Sequence, residues 1–326
     1  MSTDTSGFPA PAVEAAPPVP EGGPAPHGRR TRPRRTPRIR SRATTGWLFV
    51  APNLALMGLF LFLPLVLTFV YSFQDASPLG VSGWAGADHY VRLLGDPVFW
   101  RVLLNSVVFT AVTVPVSIAL GLGLAVLLNK ALPGRGLFRT AIYLPIVLSG
   151  LVTSLMGLLL FNEGVGILNG LLRDLGGEGL PWQSNGALAM VSVVVMTVWT
   201  RVGFAMVIYL AALQDVPAEL YEAALLDGAG PWQQFRLLTL PLLAPSTLFL
   251  VVMNIIWSFQ IFDVVYVMTG GGPGNATSML VTYAYDQGFG PSRDFGYGAT
   301  IGIVLFLLTL VLAVVQMRYN ARRELR

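Results

Sequence analysis

Asn254, Trp257, Ser258 and Ile261 fall at i, i+3, i+4 and i+7 inside a long apolar stretch, so a helix there carries an amide, an indole and a hydroxyl on one face. Polar groups are costly inside a bilayer, and such a set is either a binding stripe or glue between helices. As a binding stripe it suits a polyhydroxylated ring, whose hydroxyls need hydrogen-bond partners and whose C–H faces stack on aromatics. Arg201 stands within another apolar stretch. A guanidinium there can form bidentate bonds to hydroxyls or a carboxylate of a solute, or bond a neighbouring acid or carbonyl of the protein. Covalent chemistry has little to work with. The chain has no cysteine, and its two histidines, His27 and His89, lie far apart, which argues against a disulfide framework, a cysteine nucleophile and a zinc cluster.

A second group of residues lies between two apolar stretches. Residues 221–241 are polar and broken by glycine and proline. Pro217 and Glu219 suit a helix start, because proline is tolerated in the first turn and an acid there meets the positive end of the dipole. Ala223 and Ala224 are small enough to let a neighbouring surface approach. Asp227, Gly228 and Gly230 then break the helix, and Pro231 restarts a second short one. Two short helices lying across one membrane face are expected, available to a partner outside the bilayer. The pattern G-x-x-x-x-G-K-[ST], in which backbone amides and a lysine cradle nucleotide phosphates, is absent, since the only lysine, Lys130, follows Asn129 and precedes Ala131. Energy from ATP would have to arrive from another polypeptide.

The elements that position these residues are membrane spans. Of 326 residues 54% are hydrophobic and 12% charged, with a mean hydropathy of +0.64, which marks a polytopic membrane protein. Apolar stretches at about 47–73, 102–128, 137–161, 187–213, 238–268 and 295–317 are each long enough to cross a core of roughly 30 Å. The expected fold is all-α, with six transmembrane helices over 46–326 and a cytoplasmic loop at 214–241. Residues 1–45, rich in Pro, Gly, Ala and Arg, are expected to be a disordered cytoplasmic tail without a cleavable signal. Six spans place both termini on one side. With the N-terminus inside, sixteen Lys and Arg fall on the cytoplasmic side and four (Arg92, Arg101, Arg173 and Arg293) outside, as positive residues prefer. Eight arginines between Arg29 and Arg42 then act as a topology determinant drawn to anionic lipid; without interleaved aromatics they do not point to nucleic acid. Outer loops around 74–101, 162–186 and 269–294 are long enough to contact a partner. Asp263 and Gln260 fall on a different face from the Asn254 stripe and nearer the outside, which points to a gate or a subunit interface. Gly298 and Gly302, at small-xxx-small spacing, suit close helix packing.

Glu222, Ala223 and Ala224, then Asp227, Gly228 and Ala229, Phe235 and Leu240-Pro241 resemble the EAA loop of ABC importer membrane subunits. Asn105-Ser106, Gly136-Leu137-Phe138-Arg139, Leu144-Pro145, Thr269-Gly270-Gly271-Gly272-Pro273 and Phe295-Gly296-Tyr297-Gly298-Ala299 resemble the carbohydrate-uptake subfamily, in particular its maltose-transporter-like first permease. The similarity runs from about 47 to 318, with Leu238 where the family commonly has isoleucine. It implies a type I importer permease fold in a bacterial cytoplasmic membrane, and a helix pair that docks into a cleft of the ATPase through Glu222, Ala223, Ala224, Asp227, Gly228, Ala229, Phe235 and Pro241. It implies a substrate-contacting face at Thr200, Arg201, Phe204, Asn254, Trp257, Ser258 and Ile261, though identities there are not retained and Arg201 departs from the pattern. The implied partners are a second homologous permease, an ATPase dimer that binds ATP and Mg, and an extracytoplasmic solute-binding protein that delivers sugar. No cofactor belongs to this chain.

Other readings share parts of this pattern. A permease for polyamine, phosphate or amino acid would keep the loop but not the surrounding motifs. A proton-coupled secondary transporter needs membrane-embedded carboxylates, and only Asp263 lies in a span. A membrane enzyme would need a nucleophile with a base, or metal ligands.

Overall fold

The computed structural model describes residues 40–130 and 132–324, with side chains over 47–130 and 132–318. Most of the expected tail, 1–39, lies outside the described residues. Helix α1 (Arg40–Met57) begins inside the range expected to be tail, since Arg and Ala extend a helix readily once the apolar stretch has nucleated it. It continues through a π-helical turn, Gly58–Phe62, into α2 (Leu63–Tyr71). The wide turn stands just before Leu63-Pro64: proline offers no N–H and its ring crowds the preceding turn, and the Leu63 N–H reaches back five residues to the Gly58 carbonyl.

An antiparallel hairpin, β1 (Gln74–Ser77) and β2 (Gly80–Trp84), leads to α3 (Asp88–Gly95) and the long α4 (Pro97–Asn129). Asp96 caps α4 by accepting the Val98 N–H at 2.8 Å. Next come α5 (Arg135–Val147), α6 (Gly150–Leu160), α7 (Ile167–Asp174) and α8 (Gly186–Gln214). The remaining elements are α9 (Ala218–Leu226), α10 (Pro231–Gln234), a π-helical turn at Phe235–Thr239, α11 (Leu240–Leu242), α12 (Ala244–Phe259), α13 (Asp263–Met268), α14 (Leu280–Phe289) and α15 (Phe295–Glu324).

Among the described residues four segments are unbroken and apolar enough to span a membrane: 47–71, 97–129, 186–214 and 295–318. Two bent pairs bring the number to six if each is one span. The third expected span, 137–161, turns through 100° between α5 and α6. Leu148 and Ser149 are extended there, because Pro145 removes a donor and Ser149-Gly150 is a poor helix continuation. The fifth, 238–268, bends by 63° ahead of α12, where Pro245 stands in a first turn, and its helix stops at Phe259 before α13 resumes.

The centre of the fold is α4 against α8, flanked by α5, α12 and α6. Ala125, Ala205, Met206, Tyr209, Leu243 and Leu250 form one buried cluster, and Phe109, Val193, Met196, Val265 and Met279 another. Gly203 lets α8 lie directly on the backbone of Ile142 and Tyr143, and a Cβ there would overlap α5. Gly298 meets Gly288 of α14 in the same manner, whereas a Cβ on Gly302 would meet no atom of the described residues within 4 Å. Apolar side chains of 47–71, such as Phe49 and Phe60, are exposed, as a lipid-facing helix requires.

Candidate functional site

Where the two broken segments face α8, a cavity of about 470 Å³ opens. Pro145, Leu148, Gly150 and Thr153 line it from the α5–α6 break, Thr197, Thr200 and Arg201 from α8, and Trp257 with residues 260–264 from the α12–α13 break. Helix breaks at membrane depth are tolerated where they border a cavity, because freed backbone groups must find partners there.

The expected contact set divides into wall and support. Thr200, Arg201, Trp257 and Ile261 line the cavity. Ile261 lies beyond the end of α12, so it does not extend the helical stripe of Asn254, Trp257 and Ser258. Ser258 is fully buried and accepts a hydrogen bond from Arg201 Nη1 at 2.7 Å, with Thr113 Oγ1 at 3.4 Å on its other side. Asn254 is buried, donates to the Leu250 carbonyl at 2.9 Å, and its Oδ1 finds no partner among the described residues. Phe204 stands behind the wall, its ring 5.2 Å from Trp257 and tilted by 59°. Ser258 and Phe204 therefore support wall residues, Asn254 bonds within its own helix, and none of the three lines the cavity.

Gln260 and Asp263 do not occupy a face separate from Trp257. Because α12 ends at Phe259, the helical angle that separated them from Trp257 does not apply, and both line the same cavity. Thr153 and Thr197 also line it without having been singled out; their only sequence signal was a polar residue in an apolar stretch.

The polar loop forms the two short helices expected of it. Ala229 N–H bonds the Ala224 carbonyl at 2.9 Å and Gly228 N–H the Leu225 carbonyl at 3.0 Å, closing α9 around Gly228 at φ +77°. Pro217 precedes α9 as its cap residue. Gln234 Nε2 donates to the Ala229 carbonyl at 2.9 Å, and the Tyr221 and Thr239 hydroxyls meet at 3.1 Å, so α9 and α10 form one unit. Glu222, Ala223, Asp227 and Pro241 are exposed, and Ala224, Ala229 and Phe235 are half-buried. Leu226 at 90% and Trp232 at 69% exposure give this polar loop an apolar surface. Trp232 stacks on Phe235 at 5.6 Å.

Several other motif residues are structural. Asn105 Nδ2 donates to the Asn275 and Ser278 carbonyls at 2.8 and 3.1 Å, pinning the glycine-rich 269–278 loop, and Ser106 Oγ accepts from the Leu280 N–H at 3.2 Å. Over residues 95–325 the sequence matches the family described as "binding-protein-dependent transport system inner membrane component". The chain belongs to that family. The permease is thus a transport component of the inner membrane and not an ATPase. It is 39% identical to the lactose transport system permease protein LacF of Rhizobium radiobacter over 86% of this chain and 94% of that one. It is 33% identical to the trehalose/maltose transport system permease protein MalF of Thermococcus litoralis (86% and 95%). With the sn-glycerol-3-phosphate transport system permease protein UgpA of Yersinia pestis it shares 33% identity (85% and 94%). Its fold matches the crystal structure of a bacterial ABC transporter involved in the import of the acidic polysaccharide alginate, with a TM-score of 0.77 at 22% identity over 87% of the permease and 98% of that chain.

On the face expected to be external, the permease is held by bonds between distant segments. Asp96 Oδ2 accepts from the Tyr283 hydroxyl at 2.5 Å and the Tyr297 hydroxyl at 2.6 Å. Burial works to raise the Asp96 carboxyl, but these hydroxyls and the Val98 and Phe99 N–H groups hold it below its ordinary value. Glu163 Oε1 accepts the N–H groups of Gln183 and Ser184 and the Ser184 hydroxyl, which lowers its carboxyl likewise. Asn169 closes the same loop by bonding Glu163, Leu180 and Trp182.

Proposed function

We propose that the permease lines the translocation pathway of an ATP-driven sugar importer in a bacterial cytoplasmic membrane, with both termini cytoplasmic and residues 46–326 as the transport domain. The observation that carries this reading is the cavity bounded by two helix breaks, whose wall combines threonine hydroxyls, an amide, an indole and a guanidinium. Its volume falls within the range of small-molecule sites, about 300–1,000 Å³. Relatives named for lactose and for trehalose/maltose support a sugar. A second, homologous permease completes the pathway, and a solute-binding protein delivers sugar to the outer loops. An ATPase dimer, which holds ATP and Mg, docks on the 214–241 loop through Glu222, Ala223, Ala224, Asp227, Gly228, Ala229, Phe235 and Pro241. Exposed Leu226 and Trp232 give that docking an apolar contact. ATP binding closes the ATPase dimer, α9 and α10 carry the movement into α11 and α12, and the pathway opens outward; hydrolysis resets it.

The test is ATPase activity of the reconstituted complex with a panel of ligand-loaded binding proteins, comparing wild type with Gly228→Pro. Proline fixes φ near −65°, which is incompatible with the +77° found at Gly228. Stimulation by a loaded sugar that disappears in the variant is expected. Stimulation by a non-sugar ligand alone would move the assignment to another solute class, and failure of the ATPase to associate would overturn the role of the loop.

A further inference from the structure

Arg201 is 8% exposed, yet it forms part of the cavity wall. A guanidinium carries five N–H donors, and here one protein acceptor is found, the neutral hydroxyl of Ser258 at 2.7 Å. Among the described residues no carboxylate lies within ion-pair distance; the ion pairs present are Arg92 with Asp294 and His89 with Asp75. A buried cation without a counter-charge is strongly unfavourable, and a hydroxyl does not neutralise it.

The other charged residue of the wall, Asp263, does not serve that purpose. Its carboxylate packs on Gly150, where a Cβ would overlap Oδ2. Gly150 opens the eleven-residue α6, whose first turn presents free N–H groups and the positive end of the helix dipole. Asp263 thus lies against the start of α6 and forms no ion pair with Arg201, whose protein partner remains the neutral Ser258 hydroxyl.

We propose that the cavity selects a hydroxylated solute bearing an anionic group, a carboxylate or a phosphate, which seats on the Arg201 guanidinium. The proposal rests on the reading of this cavity as the substrate pathway. Ser258, braced by Thr113, holds one arm of the guanidinium in place. Two oxygens of a carboxylate or a phosphate engage the remaining donors bidentately, with charge-assisted bonds that a neutral sugar hydroxyl cannot match. Thr197, Thr200 and Trp257 supply the rest of the wall for hydroxyls and a ring face.

The test is equilibrium binding of labelled glucose, glucuronate and glucose 6-phosphate to the assembled transporter in nanodiscs at fixed ionic strength. Glucuronate or glucose 6-phosphate is expected to bind at least about 10-fold more tightly than glucose, given the worth of hydrogen bonds between charged groups. Which of the two prevails separates carboxylate from phosphate. Arg201→Gln should bring both down to the glucose level, and Arg201→Lys should retain part of the preference, which guards against a variant that merely misassembles. Equal binding of all three ligands, or a preference that survives Arg201→Gln, would overturn anion selection while leaving the transport reading intact. Binding of none, with ATP turnover unresponsive to any loaded binding protein, would overturn both.

Discussion

At Asp96 one carboxylate oxygen receives two phenols from different helices, Tyr283 of α14 and Tyr297 of α15, both buried. Asp96→Ala would strand both hydroxyls, each at a cost of roughly 1–3 kcal/mol. The expected outcome is a clear fall in the Tm of the solubilised complex at pH 7. Because the folded carboxyl titrates below its ordinary value, its contribution is complete above about pH 5 and is lost as pH falls through the unfolded value near 3.9 toward the folded one. Tm scans of wild type and Asp96→Asn should therefore differ by a constant amount near neutrality and converge in acid. The aspartate gave no sequence signal, since the two tyrosines stand 187 and 201 residues away. Arg201, by contrast, was legible as a charge in an apolar stretch, though not its bond to Ser258. Spacing placed Asn254, Trp257 and Ser258 together on one helix, but spacing does not say which side chains meet a cavity and which meet another helix.

The elements were legible as apolar stretches, and their breaks were not. Hydropathy sums over 137–161 and 238–268 report transfer to lipid and carry no information on backbone direction, so two bent segments read as straight spans. The local signals were Pro145 followed by Ser149-Gly150, and Pro241 followed by Pro245. The cavity is built on the first of these breaks and on the one between α12 and α13, so Gln260 and Asp263 were assigned to a separate face and Thr153 and Thr197 drew no notice. The contact of α5 with α8 gives a separate test. Gly203→Val would press a branched side chain onto the backbone of Ile142 and Tyr143, which cannot swing aside. Overpacking of this kind costs about 1–3 kcal/mol, and thermal unfolding should show the loss, whereas Gly302→Ala, facing open space, should leave Tm unchanged.

For the whole molecule, sixteen positive residues on one proposed side against four on the other predict an orientation that can be measured directly. The chain has no cysteine, so any introduced thiol reports alone. An impermeant thiol reagent should label Glu178→Cys on intact cells and Arg236→Cys only after permeabilisation; the reverse pattern would invert the topology. The π-helical turn at Phe235–Thr239, directly between the paired short helices and the segment leading to Trp257, has a bearing on how a rotation is transmitted. One residue more than a regular turn shifts the azimuth of everything downstream by about 100°. A helical wheel drawn from Phe235 at constant pitch is therefore out of phase from Leu240 to the bend that precedes α12. Deleting Leu238 would restore ordinary winding ahead of the 63° bend and change the azimuth at which the paired short helices meet α11, without altering a side chain of either short helix.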